Sequence, residues 1–147
     1  MSAAPVPDCL FCRLARDPDT VVWADDDVAA FLDIRPLFLG HTLVVPRRHV
    51  VTLDEADPDL LVALFTAVQR VQRVLAAPAA EGGAGAQGTF VANNNVVSQS
   101  VPHLHVHVVP RTKGDGLRGF FWPRTSYAED GPDSIGAWRT RLGTALA

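Results

Sequence analysis

Apolar and polar residues alternate strictly through "HLHVHV", inside the stretch "SVPHLHVHVVPR" at residues 100–111. A period of two marks a half-buried strand, whose successive side chains point to opposite faces. Leu104, Val106 and Val108 therefore share a face turned to the core, and His103, His105 and His107 share the other. At roughly 3.3 Å per residue the three imidazoles span about 13 Å. Pro102 and Pro110 bracket the run, where a missing backbone N–H is tolerated.

Other apolar runs predict the neighbours of this strand. "TVVWAD" and "VAAFLD" read as two strands joined at "DDD", a hairpin. "RPLFLG" is a turn-rich connector, "HTLVVP" a strand ended by Pro46, and "TFVAN" another strand. "NNVVSQS" leads into the histidine strand, and "CLFCRLARD" reads as a short helix. A 3.6-residue period begins at Asp57, a capping residue, with Pro58 at the first helical position. Leu61, Leu64, Phe65, Val68, Val71 and Leu75 fall at helical spacing there and predict a core stripe. "APAAEGGAGAQG" has the composition of a flexible loop, and "RTKGDGLRGFFWPRTSY" is irregular. From about Asp133 a last helix carries Ile135, Trp138 and Leu142 on one face. Hairpins with one long crossover helix predict an α+β fold with an antiparallel sheet. A chain of 147 residues predicts one domain.

Composition narrows the setting. An apolar content of 48% suffices for a core, and no apolar run approaches a membrane span. A net charge of −3 argues against general nucleic-acid binding. "MSAAPVPDCLFC" has neither the basic nor the apolar part of a secretory leader. With only two cysteines this predicts the reducing cytoplasm. Arg111, Lys113, Arg118 and Arg124 follow the histidine row, either as a solvated basic face or beside an anionic ligand; Arg47 and Arg48 form a second basic pair.

A histidine row suits either metal ligation or imidazole chemistry. Cys9 and Cys12 form a C-x-x-C, which reads as a redox pair, as two buried thiols or as half of a zinc site. A structural zinc needs four ligands, so two more must be histidines, with His49 and His103 as candidates. All three row histidines on one catalytic zinc is a further arrangement.

"HLHVHVV" fits the His-φ-His-φ-His-φ-φ pattern and resembles the histidine triad (HIT) superfamily. "CLFC", "DDDVAAFLDIRPLFLGHTLVVPRRHV", "TLDE", the long helix and "SQSVPHLHVHVVPR" follow in the order of its Hint-like branch. The resemblance covers roughly residues 8–113 and leaves 114–147 as a less diagnostic tail. It implies a HIT-like fold of about five antiparallel strands with one long crossover helix and short flanking helices. It also implies attack on a nucleotide α-phosphate by the middle histidine, here His105, through a nucleotidyl-histidine that water hydrolyses. His107 then contacts the phosphate or the leaving group, with Gln99 and Ser100 as polar phosphate contacts. Asp33 matches the residue that receives the ribose hydroxyls. Phe11, Leu14, Phe31 and Ile34 match the apolar base pocket, and Asn93 a phosphate-side asparagine. Asparagines run through 93–95 where relatives often carry glycine.

The resemblance further assigns Cys9, Cys12, His49 and His103 to a closed structural zinc, with no catalytic metal, and leaves His41 structural. Its substrates are purine nucleotide conjugates such as phosphoramidates. The nearest alternatives are a Fhit-like dinucleoside polyphosphate hydrolase or phosphorylase and a nucleotide-binding scaffold. Histidine, not the glutamine of transferase relatives, fills the third triad position. A homodimer is implied, with the Phe120–Phe121–Trp122 cluster and nearby Trp138 marking an apolar interface. Nucleic acid and membrane are not expected partners.

Overall fold

The computed structural model describes residues 6–117 and 125–147. Two compact units divide the chain at Asp115/Gly116. In the first, α1 (Leu10–Leu14) precedes the hairpin β1 (Val21–Ala24) and β2 (Val28–Leu32), then β3 (Thr42–Pro46). The long helix α2 (Pro58–Ala76) follows, then β4 (Gly88–Ala92) and β5 (Val106–Arg111). The five strands form one antiparallel sheet in the order β1-β2-β3-β5-β4. The fold is α+β with α2 as the crossover, as expected.

α2 starts where the sequence places its signals. The Asp57 carboxylate accepts from Leu60 N at 2.8 Å, and Pro58 opens the helix. Its buried stripe is Leu60, Leu64, Ala67, Val68 and Leu75. The expected stripe was turned too far: Leu61 is only half-buried and Phe65 is exposed. Each step rotates the helix by about 100°, and the sheet takes the face centred on Leu64 and Val68. The glycine-rich loop after α2 is also tighter than its composition suggests. Gly85 N bonds Ala77 O at 2.8 Å, and Ala86 N bonds Leu75 O at 3.0 Å. A Cβ at Gly83 would lie 2.0 Å from Ala77 O, so no other residue fits that turn.

Register sorts the sheet into two faces. Directly opposed residues of an antiparallel pair share a face. Ala30, Val44 and Val106 lie opposite one another and pack under α2 with Val28, Val108 and Leu104. Phe31, Leu43 and His107 are likewise aligned on the other face. Phe31 and Leu43 join Phe11, Cys12, Ala29 and Val45 in a second core. The expected split of the histidine segment therefore holds, with its apolar members under the helix.

The hydrogen-bonded strand itself is shorter than the alternation suggested. β5 begins at Val106, so His103 and His105 lie on the segment that leads into it. Their backbone is engaged elsewhere: Leu104 N bonds Val50 O at 2.6 Å, and His103 N bonds Val101 O at 2.8 Å. Pro110 lies inside β5, but β3 pairs only with Val106–Val108, so proline interrupts no bond there.

In the second unit, Ser134 caps α3 (Ile135–Leu146) by accepting from Ala137 N at 3.2 Å. The helix starts two residues after the expected Asp133. Arg141 lies over the Trp138 ring at 4.3 Å. Arg118, Phe120, Phe121, Trp122 and Arg124 lie outside the described residues.

Candidate active site

His103 and His105 are almost completely buried, at 0% and 1% exposure. His105 Nδ1 lies 2.7 Å from the carbonyl oxygen of His103. A carbonyl only accepts, so Nδ1 carries the proton and Nε2 presents its lone pair. The Phe11 ring meets His105 edge to face, with centroids 5.1 Å apart. Phe11 also packs on Phe31 at 5.3 Å. Buried aromatics thus hold the imidazole plane while the local backbone sets its tautomer.

His107 is fixed through a residue expected to be structural. Leu37 N donates to His41 Nδ1 at 3.1 Å, which places the His41 proton on Nε2. His41 Nε2 then donates to His107 Nδ1 at 2.9 Å. His107 must carry its own proton on Nε2, opposite to His105. The two rings are 5.0 Å apart between centroids. One ring therefore presents an electron pair and the next an N–H donor. Asp33 Oδ2 lies 3.7 Å from His41 Nε2, while its Oδ1 accepts from Arg35 N at 2.8 Å. Burial pushes His107 down to about 4, with His105 and His41 adding to the shift and Asp33 opposing it. Burial also lowers His41, again against Asp33. Both rings are neutral at pH 7.

Cys9, Cys12, His49 and His103 converge with their ligand atoms within 4.8 Å of one another. Cys9 Sγ and Cys12 Sγ lie 3.3 and 3.5 Å from His103 Nδ1, and Cys12 Sγ lies 3.4 Å from His49 Nδ1. Sulfur and nitrogen on one tetrahedral zinc stand about 3.5 Å apart, given their bond lengths. The set fits such an ion. His103 Nε2 donates to Pro46 O at 2.7 Å, which leaves Nδ1 free to ligate. Burial raises Cys12, with the neighbouring Cys9 acting in the same direction, so ligation must displace a thiol proton.

Asp33, His41 and His107 form a second cluster of comparable size, but its chemistry differs. His41 could ligate through Nε2 only with its proton on Nδ1, where Leu37 N–H already points. The nitrogens of His41 and His107, 2.9 Å apart, are also closer than the roughly 3.3 Å of two tetrahedral zinc ligands. This cluster is a hydrogen-bond relay.

The remaining expected site residues are placed unevenly. Leu14 is half-buried beside the second core, whereas Ile34 is 92% exposed. Asn93 Nδ2 donates to the His105 carbonyl at 2.9 Å. Gln99 spends both ends of its amide on the backbone, donating to Val51 O at 2.6 Å and accepting from Val96 N at 2.8 Å. Ser100 is exposed just before the histidines. Between them, Val96 and Ser98 have φ of 67° and 62°. A β-branched residue there is strained, and the Gln99 side chain holds the turn. His41 is the site residue the sequence reading assigned no role. Only the β3–β5 register, Leu43 opposite His107, brings it into play.

Two imidazoles of opposite tautomer, beside a two-cysteine, two-histidine cluster on one face of a five-stranded sheet, form the arrangement of a histidine triad protein. The chain belongs to the HIT family, whose domain model matches residues 15–114. It is 40% identical over 112 residues to a HIT-like protein of Methanocaldococcus jannaschii, covering 74% of this chain and 82% of that one. It is 30% identical over 112 residues to an adenylylsulfatase of Arabidopsis thaliana, covering 75% of this chain and 55% of the enzyme. A Zn-bound histidine triad protein of Mycobacterium smegmatis superposes with a TM-score of 0.66 at 32% identity, covering 94% of this chain and 97% of that one.

The depressed His107 has a consequence for folding. The unfolded chain protonates this ring near 6.5 and the folded chain near 4. Between those values the unfolded state binds more protons, so the contribution of His107 to stability is lost as pH falls. The stability advantage of wild type over His107→Gln should shrink by about 1–3 kcal/mol between pH 7 and pH 4 in urea titrations of the two proteins under identical conditions. An advantage constant with pH would show that the fold does not resist protonation of His107.

Proposed function

We propose that the protein hydrolyses nucleotide conjugates, nucleoside phosphoramidates above all, at the α-phosphate through a nucleotidyl-histidine at His105. The observation that carries this reading is the His105 Nδ1–His103 carbonyl bond at 2.7 Å. It leaves the Nε2 lone pair of the neutral ring free to act as the nucleophile. Nε2 attacks phosphorus as the P–N bond of the phosphoramidate breaks; its electron pair leaves with a nitrogen that has taken a proton from solvent, so an amine departs and a cationic N-phosphoryl imidazole forms. Its Nδ1–H still faces the His103 carbonyl, which stabilises the new positive charge. Water then attacks phosphorus, the P–N bond breaks with its electron pair returning to Nε2, and a nucleoside monophosphate leaves. His107 Nε2–H donates to an oxygen on which negative charge develops. Ser100 serves the phosphate side, with Gln99 and Asn93 bracing the backbone behind it; Asp33 receives the ribose hydroxyls, and Leu14 and Ile34 seat a purine with Phe11 and Phe31 buried behind them. The adenylylsulfatase relative supports a nucleotide conjugate as substrate.

Zinc held by Cys9, Cys12, His49 and His103 pins α1 to the approach of the catalytic strand. Four protein ligands leave no open position, so the ion is structural. The zinc-bound relative supports this assignment. The protein acts as a homodimer in the cytoplasm. β4 is an edge strand, and Val62 and Phe65 of α2 and Val91 of β4 expose apolar surface. No helix among the described residues is long and apolar enough to cross a membrane.

Three experiments test these statements. Intact mass after brief mixing with adenosine phosphoramidate and a basic quench should show an adenylyl adduct on wild type and none on His105→Ala. Diadenosine tetraphosphate run alongside would shift the assignment to the dinucleoside polyphosphate class if it reacted faster. Binding without turnover of either would favour a scaffold. For the metal, elemental analysis should give one zinc per chain, lost in Cys9→Ser. Chelation should lower the melting temperature and reduce activity only as the fold loosens, whereas immediate loss of activity with the fold intact would make the metal catalytic. Light scattering should give twice the 15.8 kDa chain mass, and a single-chain mass would end the dimer reading.

A further inference from the structure

The loop between β4 and the histidines carries polar groups that the triad does not use directly. Asn93 Nδ2 bonds the His105 carbonyl at 2.9 Å, so the nucleophile is held by its backbone as well as by its ring. That contact has a second layer. Asn95 Nδ2 donates to Asn93 Oδ1 at 2.6 Å, and Asn95 Oδ1 accepts from Leu53 N at 2.8 Å. Leu53 packs on the core beneath α2. One line of hydrogen bonds thus runs from Leu53 through Asn95 and Asn93 to His105.

The anchoring segment recurs. Val50 O receives Leu104 N, Val51 O receives the Gln99 amide, and Leu53 N meets Asn95. Residues 50–53 therefore brace both the loop and the strand approach. Asn95 contributes a donor and an acceptor on separate atoms of one planar amide, so it reaches Asn93 and Leu53 at the same time. Its donor fixes the orientation of the Asn93 amide, because Asn93 Oδ1 already has a partner and Nδ2 is left for the carbonyl.

We infer that Asn95 is a positioning residue for the nucleophile, acting through Asn93 to hold the His105 backbone against the Leu53 anchor. The inference rests on the reading of His105 as nucleophile. It concerns the rate of the first chemical step and leaves nucleotide affinity unchanged. Asn95→Asp isolates it. Aspartate still accepts from Leu53 N, but its carboxylate turns an acceptor toward Asn93 Oδ1, and the two oxygens repel.

The test compares wild type, Asn95→Asp and Asn95→Gly. Single-turnover formation of the His105 adduct from adenosine phosphoramidate is read by quenched mass spectrometry, and AMP affinity by calorimetry. Asn95→Asp should form the adduct about five- to tenfold more slowly at pH 7, the scale of one hydrogen bond, with AMP affinity within about twofold of wild type. The deficit should narrow toward pH 4.5, where the introduced carboxyl takes up a proton and donates again, and Asn95→Gly should show no such recovery. An Asn95→Asp adduct rate equal to wild type would overturn the inference. So would parallel losses of rate, AMP affinity and melting temperature, which mark a merely structural loop residue. If wild type itself forms no adduct, the nucleophile reading fails, and the Asn95 role with it; adduct on wild type with an unaffected variant removes only the Asn95 role.

Discussion

The chemistry depends on a hydrogen bond spanning only two residues, from His105 Nδ1 to the His103 carbonyl. The segment leading into β5 brings the ring of His105 to the carbonyl of the histidine two positions earlier. The contact decides which nitrogen of His105 is free. It also joins the two sites, because the residue lending its carbonyl to His105 points its own Nδ1 at Cys9 and Cys12. Its other nitrogen is anchored to Pro46 O at the end of β3. Moving His103 would disturb the cysteine–histidine cluster and the His105 tautomer together.

Burying several imidazoles on one face is unfavourable unless each is neutral and partnered. Every buried ring here has a definite acceptor or donor. His103 and His105 donate to carbonyls, while His41 accepts from Leu37 and donates to His107. Burial is the largest cause driving His103 and His107 down to about 4, with the Arg16 charge adding to the shift at His103, so neutrality follows chiefly from the fold. The same desolvation that keeps these rings uncharged strengthens the hydrogen bonds they donate.

Much of this was legible from local pattern. Period-two alternation separated Leu104, Val106 and Val108 from the histidines before any register was known. Asp57 and Pro58 marked the start of α2 because capping is a short-range bond. What was not legible is long-range. His41 acquires its role only when β3 pairs with β5, and no spacing in the sequence encodes that register. The links from Asn95 to Leu53 and from Gln99 to Val51 span 42 and 48 residues. The turn after α2 looked loose because glycine has two physical uses, freedom and absence of a side chain, and composition does not tell them apart. At Gly83 it is the missing side chain that matters.

The two titratable clusters show how second partners decide function. Each gathers imidazoles with anionic or ionisable ligands within 4.8 Å. In the cysteine cluster, Pro46 O draws the His103 proton outward, so the inward nitrogen is a bare lone pair suited to a cation. In the Asp33 cluster, Leu37 N–H approaches from outside, so the inward nitrogen of His41 keeps its proton and serves as a donor. One backbone carbonyl at the end of β3 and one backbone N–H in the connector before it separate a cluster that fits a metal from a relay. Ligand identity alone would not have distinguished them, because imidazole supplies either chemistry and the polarity of the outer partner selects which.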